Sequence, residues 1–143
     1  HSDSSAASDV YKRQLIKSKK IIALGFMDER QDHFLAVCSS LVKNRRMIFV
    51  VGKRDVIFHL PNDLSIRLPV NSRVSLFPLN EIKTVKAVGL KYPVENLKFS
   101  PLGKIGTSNI STNENIRISY QGSGMLGIFS SRHLDIFYNS MYD

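Results

Sequence analysis

The apolar residues of this chain follow two different patterns. Up to Val51 they form short unbroken runs and one helical stripe. Lys20-Ile21-Ile22-Ala23-Leu24-Gly25 is a continuous apolar run ending in glycine, the pattern of a buried parallel strand. Phe34, Val37, Cys38, Leu41 and Val42 then recur at helical spacing, and Leu35 and Ala36 widen that face. This predicts a mostly buried helix beginning near Asp32, whose carboxylate can cap free N–H groups. Met47 to Val51 reads as a second apolar strand, stopped by Gly52. Strand, helix and strand within about thirty residues make a βαβ unit, with a loop at the carboxyl end of the first strand.

From Asp55 onward no helical period persists, and the segments become short and β-like. They are Val56 to Leu60, Leu64 to Leu68, Arg73 to Phe77, Thr84 to Val88, Leu97 to Phe99, Ile116 to Tyr120 and Met125 to Phe129. Turn signals separate them, among them Pro61-Asn62-Asp63, Pro69, Pro78, Gly89, Asn113 and Gly122-Ser123-Gly124. Short strands at such regular spacing imply an all-β antiparallel sandwich or flattened barrel. The expected fold is therefore an α/β fragment, a βαβ remnant of a Rossmann-like domain, followed by that β unit. Residues 1–14 are read as disordered or artefactual, 15–54 as the α/β part, 55–131 as the β domain and 132–143 as an unassigned tail.

The stretch Gly89 to Asn109 carries the densest turn chemistry. Pro93 cannot donate to a central ladder, so Lys91-Tyr92-Pro93 reads as a strand leaving its sheet. Ser100-Pro101-Leu102-Gly103 reads as a turn. Gly106-Thr107-Ser108-Asn109 sets three hydrogen-bonding side chains after a glycine that permits close backbone approach. Such a corner can hold a small polar molecule; the plainer reading is a decorated β-turn.

Charge and cysteine content narrow the setting. The formal net charge is +8, which favours an anionic partner. Lys12, Arg13, Lys17, Lys19 and Lys20 cluster near the start, and Lys43, Arg45, Arg46, Lys53 and Arg54 flank one apolar strand. The others are scattered without the interleaved aromatics of a single-strand platform, so a nucleic-acid-binding β-barrel is the secondary reading. Cys38 is the sole cysteine, which excludes an internal disulfide and suits a reducing, cytoplasmic setting; inside its apolar run it reads as a small core residue. No stretch approaches the length of a membrane span, and no hydrophobic signal core is evident. Asp9-Val10-Tyr11-Lys12-Arg13-Gln14 resembles a translated sequencing adaptor, which would make this chain a fragment of a longer protein.

Motifs in a fixed order carry a family resemblance. Gly25-Phe26-Met27-Asp28-Glu29-Arg30-Gln31-Asp32-His33 lies at the strand-to-helix corner. Val74-Ser75-Leu76-Phe77-Pro78-Leu79, Gly89-Leu90-Lys91-Tyr92-Pro93-Val94, Gly106-Thr107-Ser108-Asn109 and Gly124-Met125-Leu126 follow. Together, from about Lys19 to Ser131, they resemble the thiamine diphosphokinase (thiamine pyrophosphokinase) family, in its C-terminal part.

The resemblance implies a cytoplasmic homodimer that transfers diphosphate from ATP to thiamine, releasing AMP, with Mg²⁺ required. It implies an N-terminal catalytic domain and a C-terminal thiamine-binding domain; the family's acidic nucleotide and metal motifs have no counterpart in this chain. Arg30 and Asp32 take the catalytic roles. Arg30 offers a charged fork for phosphate oxygens, and Asp32 is a candidate Mg²⁺ ligand. A surface ion pair between the two is the simpler alternative. His33 supports the loop. Thr107, Ser108 and Asn109 carry over as thiamine contacts, with Gly106 shaping the corner and Leu126 or Ile128 covering the ring where Gly127 cannot. Asp28 and Glu29 replace glycines of the family pattern, which alters the expected loop.

Overall fold

The computed structural model describes residues 19–27 and 30–141; the expectations for residues 1–14 and for Asp28 and Glu29 fall outside them. Strand β1 (Lys20–Leu24) runs parallel to β2 (Met47–Val51) in register Ile22↔Phe49, and helix α1 (Gln31–Lys43) connects them. The predicted βαβ unit is therefore present. Its helix is less buried than its stripe suggested: Cys38 and Leu41 are buried, whereas Leu35 is 66% exposed. The helix packs one face on the sheet, and among the described residues nothing covers its other side. Cys38 is the small core residue expected, and burial pushes its thiol pKa up.

The change of pattern near Asp55 is a change of strand direction, not a gap. Strand β3 (Asp55–His59) pairs antiparallel with β2 through Val50↔Ile57 and Val51↔Val56. The remaining strands are β4 (Asp63–Arg67), β5 (Arg73–Pro78), β6 (Lys83–Val88), β7 (Gly106–Ile110), β8 (Asn115–Gln121) and β9 (Met125–Ser130). Six form one sheet in the order β1-β2-β3-β9-β5-β7, and three form a second in the order β4-β8-β6. The molecule is thus mostly β-sheet with few helices.

Alternation decides what each strand buries. In β4, Leu64 and Ile66 point inward while Asp63, Ser65 and Arg67 face out. Ile116, Ile118 and Tyr120 of β8 join them in one cluster with Phe58, Val74, Leu76 and Phe129 of the larger sheet. The Tyr120 hydroxyl donates to the Leu60 carbonyl, and burial pushes its pKa up to about 12, so it stays neutral.

Two elements depart from the pattern-based reading. Leu97–Phe99 forms no strand; Phe99 only bridges Ile82 and Lys104 from a loop. Conversely, the tail folds: a 3₁₀ turn (Ser131–His133) leads into α2 (Leu134–Ser140). Phe137 is fully buried, with ring centroids 4.2 Å from Phe129 and 5.1 Å from Phe58. Lys20 Nζ donates to the carbonyls of Tyr138 (3.1 Å) and Met141 (3.2 Å), tying β1 to the end of α2.

Candidate functional site

The Gly89–Asn109 stretch encloses a cavity of about 260 Å³, lined by Tyr92, Pro93, Val94, Leu97, Phe99, Lys104, Ile105, Gly106, Thr107 and Asn109. Its floor is an edge strand. Gly106–Asn109, expected as a turn, is part of β7, which pairs with β5 through Val74↔Asn109 and Leu76↔Gly106. Between those pairs the register shifts. Ser108 takes φ 63, and its N–H donates to Ser75 Oγ at 3.0 Å. This is a bulge, which bends an edge strand and re-aims its side chains. Thr107 and Ser108 are both exposed, Thr107 within the cavity lining and Ser108 outside it, while Asn109 is buried.

Asn109 is fastened rather than free. Its Nδ2 donates to the Tyr92 carbonyl (2.8 Å), and its Oδ1 accepts from the N–H groups of Tyr92 (3.0 Å) and Ile110 (2.9 Å). The side chain therefore clips the Tyr92–Pro93 wall to the edge strand, and one amide hydrogen has no partner among these bonds. Gly106 also has a packing reason: a Cβ there would lie 2.8 Å from Phe99 Cε1 and 3.4 Å from Leu76 Cβ. The close approach it permits is that of the Phe99 ring. Tyr92 stands as an exposed wall, with Lys91 Nζ 5.4 Å from its ring centroid.

Leu97, Phe99, Lys104 and Ile105 are lining residues outside the family motifs, and Val94, within one, joins them. For Leu97 and Phe99 the sequence signal is an apolar alternation that reads as a strand. Leu126 is buried and Ile128 is partly buried in the cluster beside α1, while Gly127 pairs with Phe58 and Leu76 at the centre of the sheet. None of the three lines this cavity.

The other predicted group sits at the start of α1. Arg30 and Asp32 form a two-point ion pair, Nη2–Oδ2 at 2.6 Å and Nε–Oδ1 at 3.1 Å, with side chains 69% and 62% exposed. The simpler alternative, a surface ion pair, is thus the arrangement present. Asp32 Oδ1 also accepts the His33 N–H at 2.9 Å, and the Arg30 bond foremost lowers its pKa. His33 is exposed. Among the described residues no three of His, Cys, Asp and Glu gather as a metal site. Asp32 alone, with both oxygens engaged, does not make a Mg²⁺ site, because that ion needs several oxygen ligands in octahedral array.

The two groups do not meet. Arg30 follows β1, and Ser108 lies in β7, the opposite edge of the same sheet. Five inter-strand spacings of about 4.8 Å put those edges about 24 Å apart.

Fold and cavity together describe a mostly β-sheet protein with a small cavity at a bulged sheet edge and a βαβ unit at the other edge. Comparison with known proteins places that class. Residues 61–125 match the family domain described as "Thiamin pyrophosphokinase, vitamin B1 binding domain". Thiamin pyrophosphokinase 1 of Caenorhabditis elegans is 26% identical over 118 residues, covering 77% of this chain and 49% of that protein. The crystal structure of thiamin pyrophosphokinase from Geobacillus thermodenitrificans aligns with TM-score 0.70 and 25% identity, over 88% of this chain and 59% of that one. The thiamine pyrophosphokinase structure from Bacillus subtilis aligns with TM-score 0.72 and 24% identity, over 90% and 62%. The resemblance carried by the sequence motifs therefore holds, in the β domain by family profile and across the described chain by fold. The chain spans about half the length of the curated relative it matches.

Proposed function

We propose that this chain is the acceptor-binding part of a thiamine diphosphokinase, an enzyme that transfers diphosphate from ATP to the hydroxyl of thiamine and releases AMP. The observation that carries the reading is the cavity between Tyr92 and Asn109. It is small, lined by apolar side chains together with Thr107, Lys104 and Asn109, and formed within the segment that matches a vitamin B1 binding domain. Thr107 contacts thiamine from the cavity lining and Ser108 from the exposed bulge beside it; Asn109 fixes the wall and offers its remaining amide hydrogen. The chain then reads as a βαβ remnant of a Rossmann-like domain (15–54), a β-sandwich (55–131) and a tail (132–143).

Arg30, supported by His33, binds phosphate oxygens once Asp32 shares it with the nucleotide. Among the described residues no further acidic group joins Asp32 to complete a Mg²⁺ site. Separation of the two groups across one sheet favours a homodimer, in which the Arg30 loop of one protomer serves the thiamine cavity of another. A cytoplasmic location accords with the single buried, unpaired cysteine. No helix is long and apolar enough to cross a membrane. Nothing specific favours the nucleic-acid reading.

The test is direct. Thiamine titrated into this chain and followed by ligand-observed NMR should saturate, and Thr107→Ala with Ser108→Ala should weaken it about tenfold. No saturable binding at millimolar thiamine would defeat the acceptor assignment. For the longer protein that contains this chain, thiamine, ATP and Mg²⁺ should yield AMP and thiamine diphosphate in equal amounts.

A further inference from the structure

The turn between β2 and β3 holds Lys53 and Arg54, two of the basic residues that the resemblance left without a role. Across from them, at the end of β9, stand Ser130, Ser131 and Arg132, and the five residues line a cleft of about 460 Å³. No carboxylate belongs to that lining. The backbone is held in place: Ser131 Oγ donates to the Lys53 carbonyl at 3.0 Å, and the Ser131 N–H to the Arg54 carbonyl at 2.9 Å. The adjacent ladder pairs Asp55 with Ser130.

Charge around this cleft is not compensated from within. Arg30, Arg67, Arg73 and Arg117 each have a carboxylate partner, namely Asp32, Glu114, Asp55 and Asp63. Lys53, Arg54 and Arg132 have none among the described residues. The nearest acid in sequence, Asp55, is taken by Arg73. Asp135, one turn beyond Arg132, forms no ion pair with it among the described residues. Three like charges facing one concave space repel one another, and a bound anion removes that cost. Guanidinium forks and hydroxyl donors suit phosphate oxygens best.

We propose that Lys53, Arg54 and Arg132, with the hydroxyl of Ser130, form a binding cleft for a di- or triphosphate group, while Ser131 holds the Lys53–Arg54 turn in place. The cleft is separate from the cavity at β7, and its occupation does not depend on thiamine. It lies beside the carboxyl end of β2, where Gly52 packs closely against Met27 of the loop after β1; a Cβ at Gly52 would lie 2.5 Å from Met27 Sδ. Oligophosphate bound there would sit near the loop that carries Arg30.

Titration calorimetry of this chain with sodium triphosphate, pyrophosphate and orthophosphate, without nucleotide or thiamine, tests the proposal. One site per chain is expected, with triphosphate tightest, orthophosphate weakest, and affinity falling at least tenfold between 50 and 300 mM salt, as expected for charge-driven binding screened by ions. Lys53→Gln with Arg54→Gln, and separately Arg132→Gln, should each weaken triphosphate at least tenfold. Arg132→Lys should lose less, and Arg67→Gln, in an ion pair elsewhere, should change nothing. Thermal melts establish that each variant is folded. Equal losses in Arg67→Gln and Arg132→Gln, or unchanged binding in the latter, would overturn the site. Tighter binding of a twelve-nucleotide single strand than of triphosphate through the same residues would overturn the small-ligand assignment. Loss of thiamine binding alone would leave this proposal intact.

Discussion

Replacing Asn109 by Ala tests the clip between the cavity wall and the edge strand. The substitution removes three hydrogen bonds, those with the Tyr92 N–H, the Tyr92 carbonyl and the Ile110 N–H, from a side chain only 5% exposed. At about 1 kcal/mol net for each bond, the loss is about 3 kcal/mol. Tyr92 is largely exposed, so water can reach part of its freed backbone, and this keeps the cost from rising toward the full desolvation penalty. With a urea slope of about 2 kcal/mol/M, the unfolding midpoint should fall by about 1.5 M. Hydrogen exchange at the Tyr92 amide should accelerate before that of the central strands, because its opening becomes local. Asn109→Asp keeps the acceptor but turns a carboxylate on the Tyr92 carbonyl, and should be at least as destabilising. A midpoint shift below about 0.3 M in Asn109→Ala, with Tyr92 exchange unchanged, would refute the clip. It would return Asn109 to the role of a free ligand contact.

Other substitutions probe neighbouring parts of the argument. Gly106→Ala presses a methyl onto Phe99 and should cost about 1–3 kcal/mol by overpacking, measured as a loss in urea midpoint. Phe137→Ala should cost about 3–5 kcal/mol, since it empties a fully buried ring site; a loss under about 1 kcal/mol would detach α2 from the core. His59 Nε2 accepts the Gly124 N–H at 3.0 Å, and burial lowers its pKa below the ordinary value near 6.5. The unfolded chain therefore binds that proton more readily, so stability is present above about pH 6.5 and is lost as pH falls through the folded value. His133 is lowered too and adds in the same direction, so His59→Gln should reduce, not abolish, the drop in midpoint between pH 7.5 and 5.5. An identical drop in both proteins would rule His59 out.

Most of the strand and helix placement could be read locally. The runs at Ile21 and Met47 and the alternation at Leu64 and Ile116 depend on which residues can be buried at a given period, and each segment carries that information itself. The failures share a cause. Leu97–Phe99 looked like a strand because two of its three residues are apolar, yet they fill the wall of a cavity. The tail lacked a clear helical face, because α2 is short and its decisive contact, Phe137 on Phe58 and Phe129, is with strands far away in sequence.

The Gly106–Asn109 corner divides the two kinds of information most clearly. From sequence alone came its residue types, its place in a family pattern and its suitability for a polar ligand, because hydroxyl and amide chemistry belongs to the side chain wherever it lies. Only the tertiary structure made it a strand, put a bulge at Ser108 and faced Thr107 and Ser108 outward. It also bound Asn109 to Tyr92, seventeen residues earlier in the chain. Those outcomes follow from pairing with β5, which is remote in sequence, and from packing under Phe99, which folds back from the preceding loop. Exposure and hydrogen-bond partners are properties of the folded neighbourhood, so a side chain that could touch a ligand becomes, when its partners arrive first, the clasp that holds the pocket in shape.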